Sequence, residues 1–305
     1  MTLISTSTSA FYERSTQDMA VLRARAEDLN AQMSRGARLS RSSDDPVAAS
    51  RLRTLSRAGT LSDIDKTNAD RATADLTLAD AALSSFASYV TRVRQLAVQA
   101  SNGTLTDDQR AGIGAEIAEL HGNLVTLANS RDSAGHALFG GETAGPAYTL
   151  DGSGNAVYVG TAGAGELPLG DGQTVTRGMT GPEFLNFSVN GSPTDLLAVV
   201  KQLGDGLTSG ADPQQAAKDS LDALTAGLDK LTTGQTLVGS RLAWIDLTTE
   251  RRTDLAELRT NEQADIGGTD IATTVANLQQ MMLVLEASQA AFSKLSGLSL
   301  FNQLR

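Results

Sequence analysis

The 305-residue chain contains no cysteine. That removes disulfides, thiolate nucleophiles and cysteine-ligated metal sites. Aromatics are scarce at 4%, with Trp244 the single tryptophan, so a core has to be built from Ala, Leu and other small aliphatic side chains packed between helices. No run of about 18 apolar residues occurs, which excludes a membrane-spanning helix. Positive charge is in deficit: 25 Lys and Arg stand against 35 Asp and Glu, a net of −10. Twenty of the basic residues are arginines spread along the chain, leaving no basic stripe to displace counterions from a nucleic acid. Histidine occurs only as His121 and His136, in unrelated contexts, which argues against a zinc site or a Ser-His-Asp triad. The opening "MTLISTSTSAFYERSTQDM" lacks the basic and apolar regions of a cleavable secretory signal. A cytosolic protein and one exported by another route both stay open.

What the chain does have is helical periodicity, nearly everywhere outside its middle. Tyr12, Ser15, Met19, Leu22, Ala26, Leu29 and Met33 step by three and four. A longer stripe runs Ala69, Ala72, Leu76, Ala79, Leu83, Phe86, Val90, Val93, Ala97, a rod of about 43 Å at ~1.5 Å per residue. Ile113, Ile117, Leu120, Leu124 and Leu127 form a third. Val238, Leu242 and Ile245 continue the pattern, followed by Ile271, Val275, Leu278, Met282, Leu285 and Phe292. Heptads this persistent predict helices packed along their lengths, with these residues as core rather than as a cofactor box.

From about Gly140 to Pro193 the chain is Gly-rich, with short β-like pieces "AYTL", "NAVYVG" and "LNFSVNG" and a hairpin connection "DGSGN". The expected fold is mainly α: a long antiparallel bundle or coiled coil of N- and C-terminal segments, with a small β-rich domain inserted. The segments read as 1–40 (N-terminal assembly helix, pairing with the C-terminus), 41–140 (first half of a helical rod), 141–195 (β insertion), 196–266 (second half of the rod) and 267–305 (C-terminal assembly helix).

"LSRSSDDPVAASRL" (39–52) looks at first like a carboxylate pair with chemistry to do. Pro46 suits the first position of a helix, where its missing N–H is no loss. Asp45 is then the N-cap, and Asp44 adds negative charge at the positive end of the helix dipole. Thr106 with Gln109 makes a capping box in "SNGTLTDDQR". "DGSGNAVYVGTA" resembles a calcium loop through Asp151, Ser153 and Asn155, but has Ala156 and Ala162 where glycine and an acid are needed. "GTAGAGELPLG" has no Lys-Ser/Thr and no following helix, so it cradles no phosphate. No catalytic, cofactor-binding or metal-binding residue emerges, and the chain reads as a building block rather than an enzyme.

"SRSSDDPVAASRL", the tail "LEASQAAFSKLSGLSLFNQL" and the opening "MTLISTS" resemble the flagellin family. Residues 100–141 are similar to that family's segment ending Gly-x-Tyr-Leu-Phe-x-Gly; Phe139 and Gly140 match it, while His136-Ala137 departs from it. The likeness covers about 1–145 and 235–305, and within the family it points to the hook–filament junction members. The resemblance implies a secreted, extracellular component of the bacterial flagellum, exported through the flagellar type III channel with the help of a cytoplasmic chaperone. It implies self-assembly as an adaptor layer whose partners are identical copies, the hook-side junction protein and flagellin. It implies no cofactor, no nucleic acid and no membrane insertion. Met19, Leu22, Leu29 and Met33, with Ile271, Val275, Leu278, Met282, Leu285 and Phe292, become the expected assembly interface. A lone amphipathic helix is marginal in water, so Met1 to about Gly36 and about Gly267 to Arg305 are expected to order only on assembly. The filament flagellin itself is the alternative; a coiled-coil surface adhesin or sugar binder fits less well, since few aromatics are available to stack on sugars.

Overall fold

A computed structural model describes residues 2–132 and 134–297. The chain runs α1 (Thr2–Arg35), α2 (Pro46–Ala100), α3 (Asp107–Ala128), β1 (Tyr148–Leu150), β2 (Ala156–Tyr158), β3 (Glu166–Gly170), β4 (Gln173–Thr176), α4 (Gly181–Leu185), β5 (Asn186–Val189), β6 (Ser192–Asp195), α5 (Leu196–Ser209), α6 (Pro213–Gly267) and α7 (Ile271–Gly297). It divides into two compact units, 1–60 with 255–305, and 61–254. The two 55-residue helices α2 and α6 contribute to both.

In the terminal unit, α1 and α7 lie antiparallel. The Tyr12 ring meets Phe292 edge-on at 5.4 Å, while at the other end the Thr269 N–H donates to the Gly36 carbonyl at 3.1 Å. Gly36 (φ +66°) ends α1 in the left-handed conformation that glycine adopts without strain. The chain returns against the end of α6, where the Arg38 N–H donates to the Gly267 carbonyl at 2.9 Å. Arg51 clamps Glu262 through two hydrogen bonds of 2.5 and 2.9 Å.

The larger unit is built on the predicted stripe of α2: Ala69, Ala72, Leu76, Ala79, Leu83, Phe86, Val90, Val93 and Ala97 are all buried. Ile113, Ile117 and Leu124 of α3, and Leu224, Leu231, Val238 and Ile245 of α6, share that core. α5 packs closely on α3, and Gly114 explains how. A Cβ there would lie 2.6 Å from Thr208 Oγ1 and 3.0 Å from the Gly204 carbonyl, so only glycine permits this approach. The β insertion is present as three separate antiparallel hairpins, β1–β2, β3–β4 and β5–β6. Their Tyr148, Leu169 and Val175 join the helical core, so the insertion and the rod are one packed body. "DGSGN" is the turn of the first hairpin. Asp151 there is no calcium ligand: its carboxylate accepts from Ser153 N, Asn155 N and Asn155 Nδ2, at 2.8, 2.8 and 2.9 Å. Strands β3, β4 and β6, the short α4 and the separation of α5 from α6 are additions to what periodicity had shown.

Candidate functional site: the paired terminal helices

Along α1, Tyr12, Met19, Leu22, Leu29 and Met33 are each half-buried, with Ala31 and Gln32 half-buried beside the last of them. On α7, Val275, Leu278, Leu285 and Phe292 are half-buried within the subunit. Two expected members are not: Ile271 is 60% and Met282 58% exposed. The physical reason is a degenerate register. Met281 and Met282 both keep heptad spacing from Leu278 and Leu285, and the helix turns Met281 inward. Ile271, as the first residue of α7, lies exposed just past the turn where Thr269 meets Gly36. Each terminal helix therefore has a partner in its own chain. The family-like tail beyond residue 297 lies outside the described residues.

The pairing leaves much apolar surface uncovered. A groove of about 480 Å³ opens between the two helices, floored by Leu22, Leu29, Met281 and Val284 and rimmed by Arg25 and Asp28. A second, of about 190 Å³, is mixed in character, lined by Phe11, Met19, Phe292 and Leu295 together with Ser15, Asp18 and Ser288. Outside that groove Met282 and Leu283 are 58% and 68% exposed, and Val284 at its floor is 41% exposed. These apolar side chains stay open to solvent on the helix pair.

The connection from α1 to α2 is held by the two aspartates. Asp45 is the N-cap of α2, accepting from Ala48 N at 3.0 Å. It also accepts from Arg38 Nη2 at 3.1 Å, and that guanidinium donates to the Ile266 carbonyl as well. Asp44 has a different job from the expected one at the helix dipole: it staples the loop before the helix, accepting from Ser40 N, Ser40 Oγ and Arg41 N. Those backbone N–H groups, of Arg41 first, hold its carboxyl below the usual range; the Ala48 N–H and then Arg38 do the same for Asp45. These are the bonds of a structural joint, with neither carboxylate free to act as acid or base. Asp270, which the sequence reading did not single out, caps α7 by accepting from Ala272 N, Thr273 N and Thr273 Oγ1.

In the larger unit the Thr106–Gln109 capping box forms as expected, with bonds of 3.3 and 3.0 Å in its two directions. Phe139 is fully buried, its ring 4.8 Å from Phe184 and 6.3 Å from Phe86. The Phe139 carbonyl accepts from Gly181 N and the Gly140 carbonyl from Thr161 N, so this motif ties the loop after α3 to α4 and the first hairpin. At the departing His136, the backbone N–H donates to Asp132 Oδ1 at 2.8 Å. Asp132 belongs to a network invisible in the sequence: Arg177 bonds it at 2.5 Å and Asp75 at 2.8 Å, both carboxylates being buried. Burial pushes the Asp132 pKa up, but the N–H groups of His136 and Ala134, the His136 ring and Arg177 outweigh it and hold the carboxyl low. Among the described residues no group of His, Cys, Asp and Glu is arranged to hold a metal ion, and no helix is long and apolar enough to cross a membrane.

Residues 4–144 match the bacterial flagellin N-terminal helical region. Flagellar hook-associated protein 3 of Escherichia coli (strain K12) is 27% identical over 312 residues, covering 97% of this chain and 98% of that protein. The protein of the same name from Salmonella typhimurium is 25% identical over 312 residues, with the same coverage. The crystal structure of flagellar hook associated protein-3 from Legionella pneumophila shares the fold, with a TM-score of 0.61 at 14% identity over 75% of this chain and 99% of that one. The chain thus carries a flagellin-type N-terminal helical region and is similar over nearly its full length to flagellar hook-associated protein 3, a structural protein of the flagellum.

Proposed function

We propose that this chain is the adaptor subunit that joins hook to filament in an extracellular bacterial flagellum. It leaves the cell through the flagellar type III channel, escorted by a chaperone, and assembles as a ring of identical copies between the hook-side junction protein and flagellin. The observation that carries the reading is the half-covered terminal helix pair. The apolar side chains left open there, Met282 and Leu283 among them, are what neighbouring subunits bury on assembly, worth roughly 1.5–3 kcal/mol per side chain. The similarity to hook-associated protein 3 over nearly the full length supports it, as does a cysteine-free chain that threads a channel with no disulfide to reduce.

Met282→Asp is the sharper test than Leu278→Asp, because Met282 is exposed within the subunit whereas Leu278 also faces α1. A charge at position 282 leaves the folded chain intact by circular dichroism, yet is desolvated and unpaired on assembly. Cells carrying it shed flagellin and fail to swim, while Glu286→Lys is much milder. Immunogold on isolated flagella labels a band at the hook–filament boundary. Label along the whole filament, or normal swimming by the Met282→Asp strain, would overturn the proposal.

A further inference from the structure

The net charge of −10 is unevenly placed. Residues 61–254 hold 13 basic against 24 acidic side chains, a net of −11; residues 1–60 with 255–305 hold 12 against 11, a net of +1. The basic part is concentrated in 35–57, with six arginines against only Asp44 and Asp45. Arg38 and Arg51 are engaged with Asp45 and Glu262. Arg53 and Arg57, one turn apart on the exposed side of α2, have no ion-pair partner among the described residues; Arg53 Nε donates only to the Ala49 carbonyl of its own helix. On α6 the opposite ladder appears. Asp246, Glu250 and Asp254 follow one another at intervals of four, all exposed and all without an ion pair among the described residues. Leu247 beside them is 59% exposed.

Like charges one helical turn apart disfavour the helix that carries them. The chain keeps two such ladders, of opposite sign and the same four-residue spacing, and neither has an ion pair among the described residues. We propose that Arg53 and Arg57 of one copy dock on the Asp246/Glu250/Asp254 ridge of a second copy, with Leu247 covered in the contact. The inference rests on the reading of the chain as a subunit of a ring of identical copies. Each copy presents both ladders, so the contact is head-to-tail and repeats around a ring without needing another protein to supply the countercharge. Matched ladders set register and orientation more than raw affinity, and so complement the apolar terminal helices, whose stripes tolerate sliding by a turn.

The test is a charge swap in the full-length protein, in a strain deleted for the chromosomal copy. Arg53→Glu with Arg57→Glu, and separately Asp246→Lys, Glu250→Lys and Asp254→Lys, each lower the number of attached filaments at least tenfold. All five changes in one chain restore it to within about twofold. Single sets without effect, or a combined chain no better than either, overturn the docking. So does loss confined to the arginine set, which would mean that the arginines meet a different protein. If the deletion itself leaves filaments attached, the junction reading fails instead. A cysteine pair decides independently and covers a reversed chain that does not fold: Arg57→Cys with Glu250→Cys, in a protein with no other cysteine, gives disulfide-linked dimers and higher ladders from mildly oxidised flagella. Monomer alone refutes the contact.

Discussion

Replacing Phe139 by alanine asks whether the motif at 139–140 is a packing joint. The ring is fully buried in a three-membered cluster, 4.8 Å from Phe184 and 6.3 Å from Phe86, with those two 5.3 Å apart. Truncation leaves a cavity between rings that are anchored on α2 and α4 and cannot close over it. Phe→Ala in such a site costs about 3–5 kcal/mol. Two ring contacts worth ~0.5–1.5 kcal/mol each beyond their area place it towards the upper end. For a cooperative unit the size of 61–254, each kcal/mol lowers the melting temperature by about 2–4 °C. A loss near 4 kcal/mol is then roughly a 10 °C fall in the transition of that unit, read by differential scanning calorimetry on the full-length chain. Phe139→Leu, which keeps most of the volume, loses much less. A shift below about 2 °C for Phe139→Ala would refute the argument, since it would mean that the cluster is not what closes this end of the core.

Arg177→Met leaves Asp75 and Asp132 as buried charges without their partner, so the urea midpoint falls by the equivalent of ~3 kcal/mol; an unchanged midpoint counts against the network. His121 is buried with Nε2 unpaired, and burial first, then Lys201, lowers its pKa below the usual 6.5. Its contribution is complete above about pH 6.5 and is lost as pH falls through the folded-state value, so melting temperature drops from pH 7.5 to 5 and His121→Gln flattens that slope. Thr106→Ala removes the capping box of α3 and costs about 1 kcal/mol, whereas Thr106→Ser is nearly silent in the same denaturant series.

How much of this was legible beforehand follows from the range of each interaction. The α1 stripe and the long stripe of α2 could be read off directly, because a helix face depends only on residues three and four apart. Asp45 and Thr106 were readable as caps for the same reason: the cap and the N–H it receives lie within one turn. The bonds of Asp44 to the preceding loop could not be read, because the fold of that loop chose them. The sequence could not say whether Met281 or Met282 turns inward, since both fit the heptad; the position of α1 decided it. Nor could it join Asp75, Asp132 and Arg177, which lie on separate elements and meet only once the helices and hairpins have packed. The tight seat of α5 on α3 at Gly114 and the closure of Phe139 between Phe86 and Phe184 are likewise products of packing. Periodicity and caps determined which segments are helices and which faces are apolar; long-range close packing alone determined which face meets which, and which apolar face is left for a neighbour.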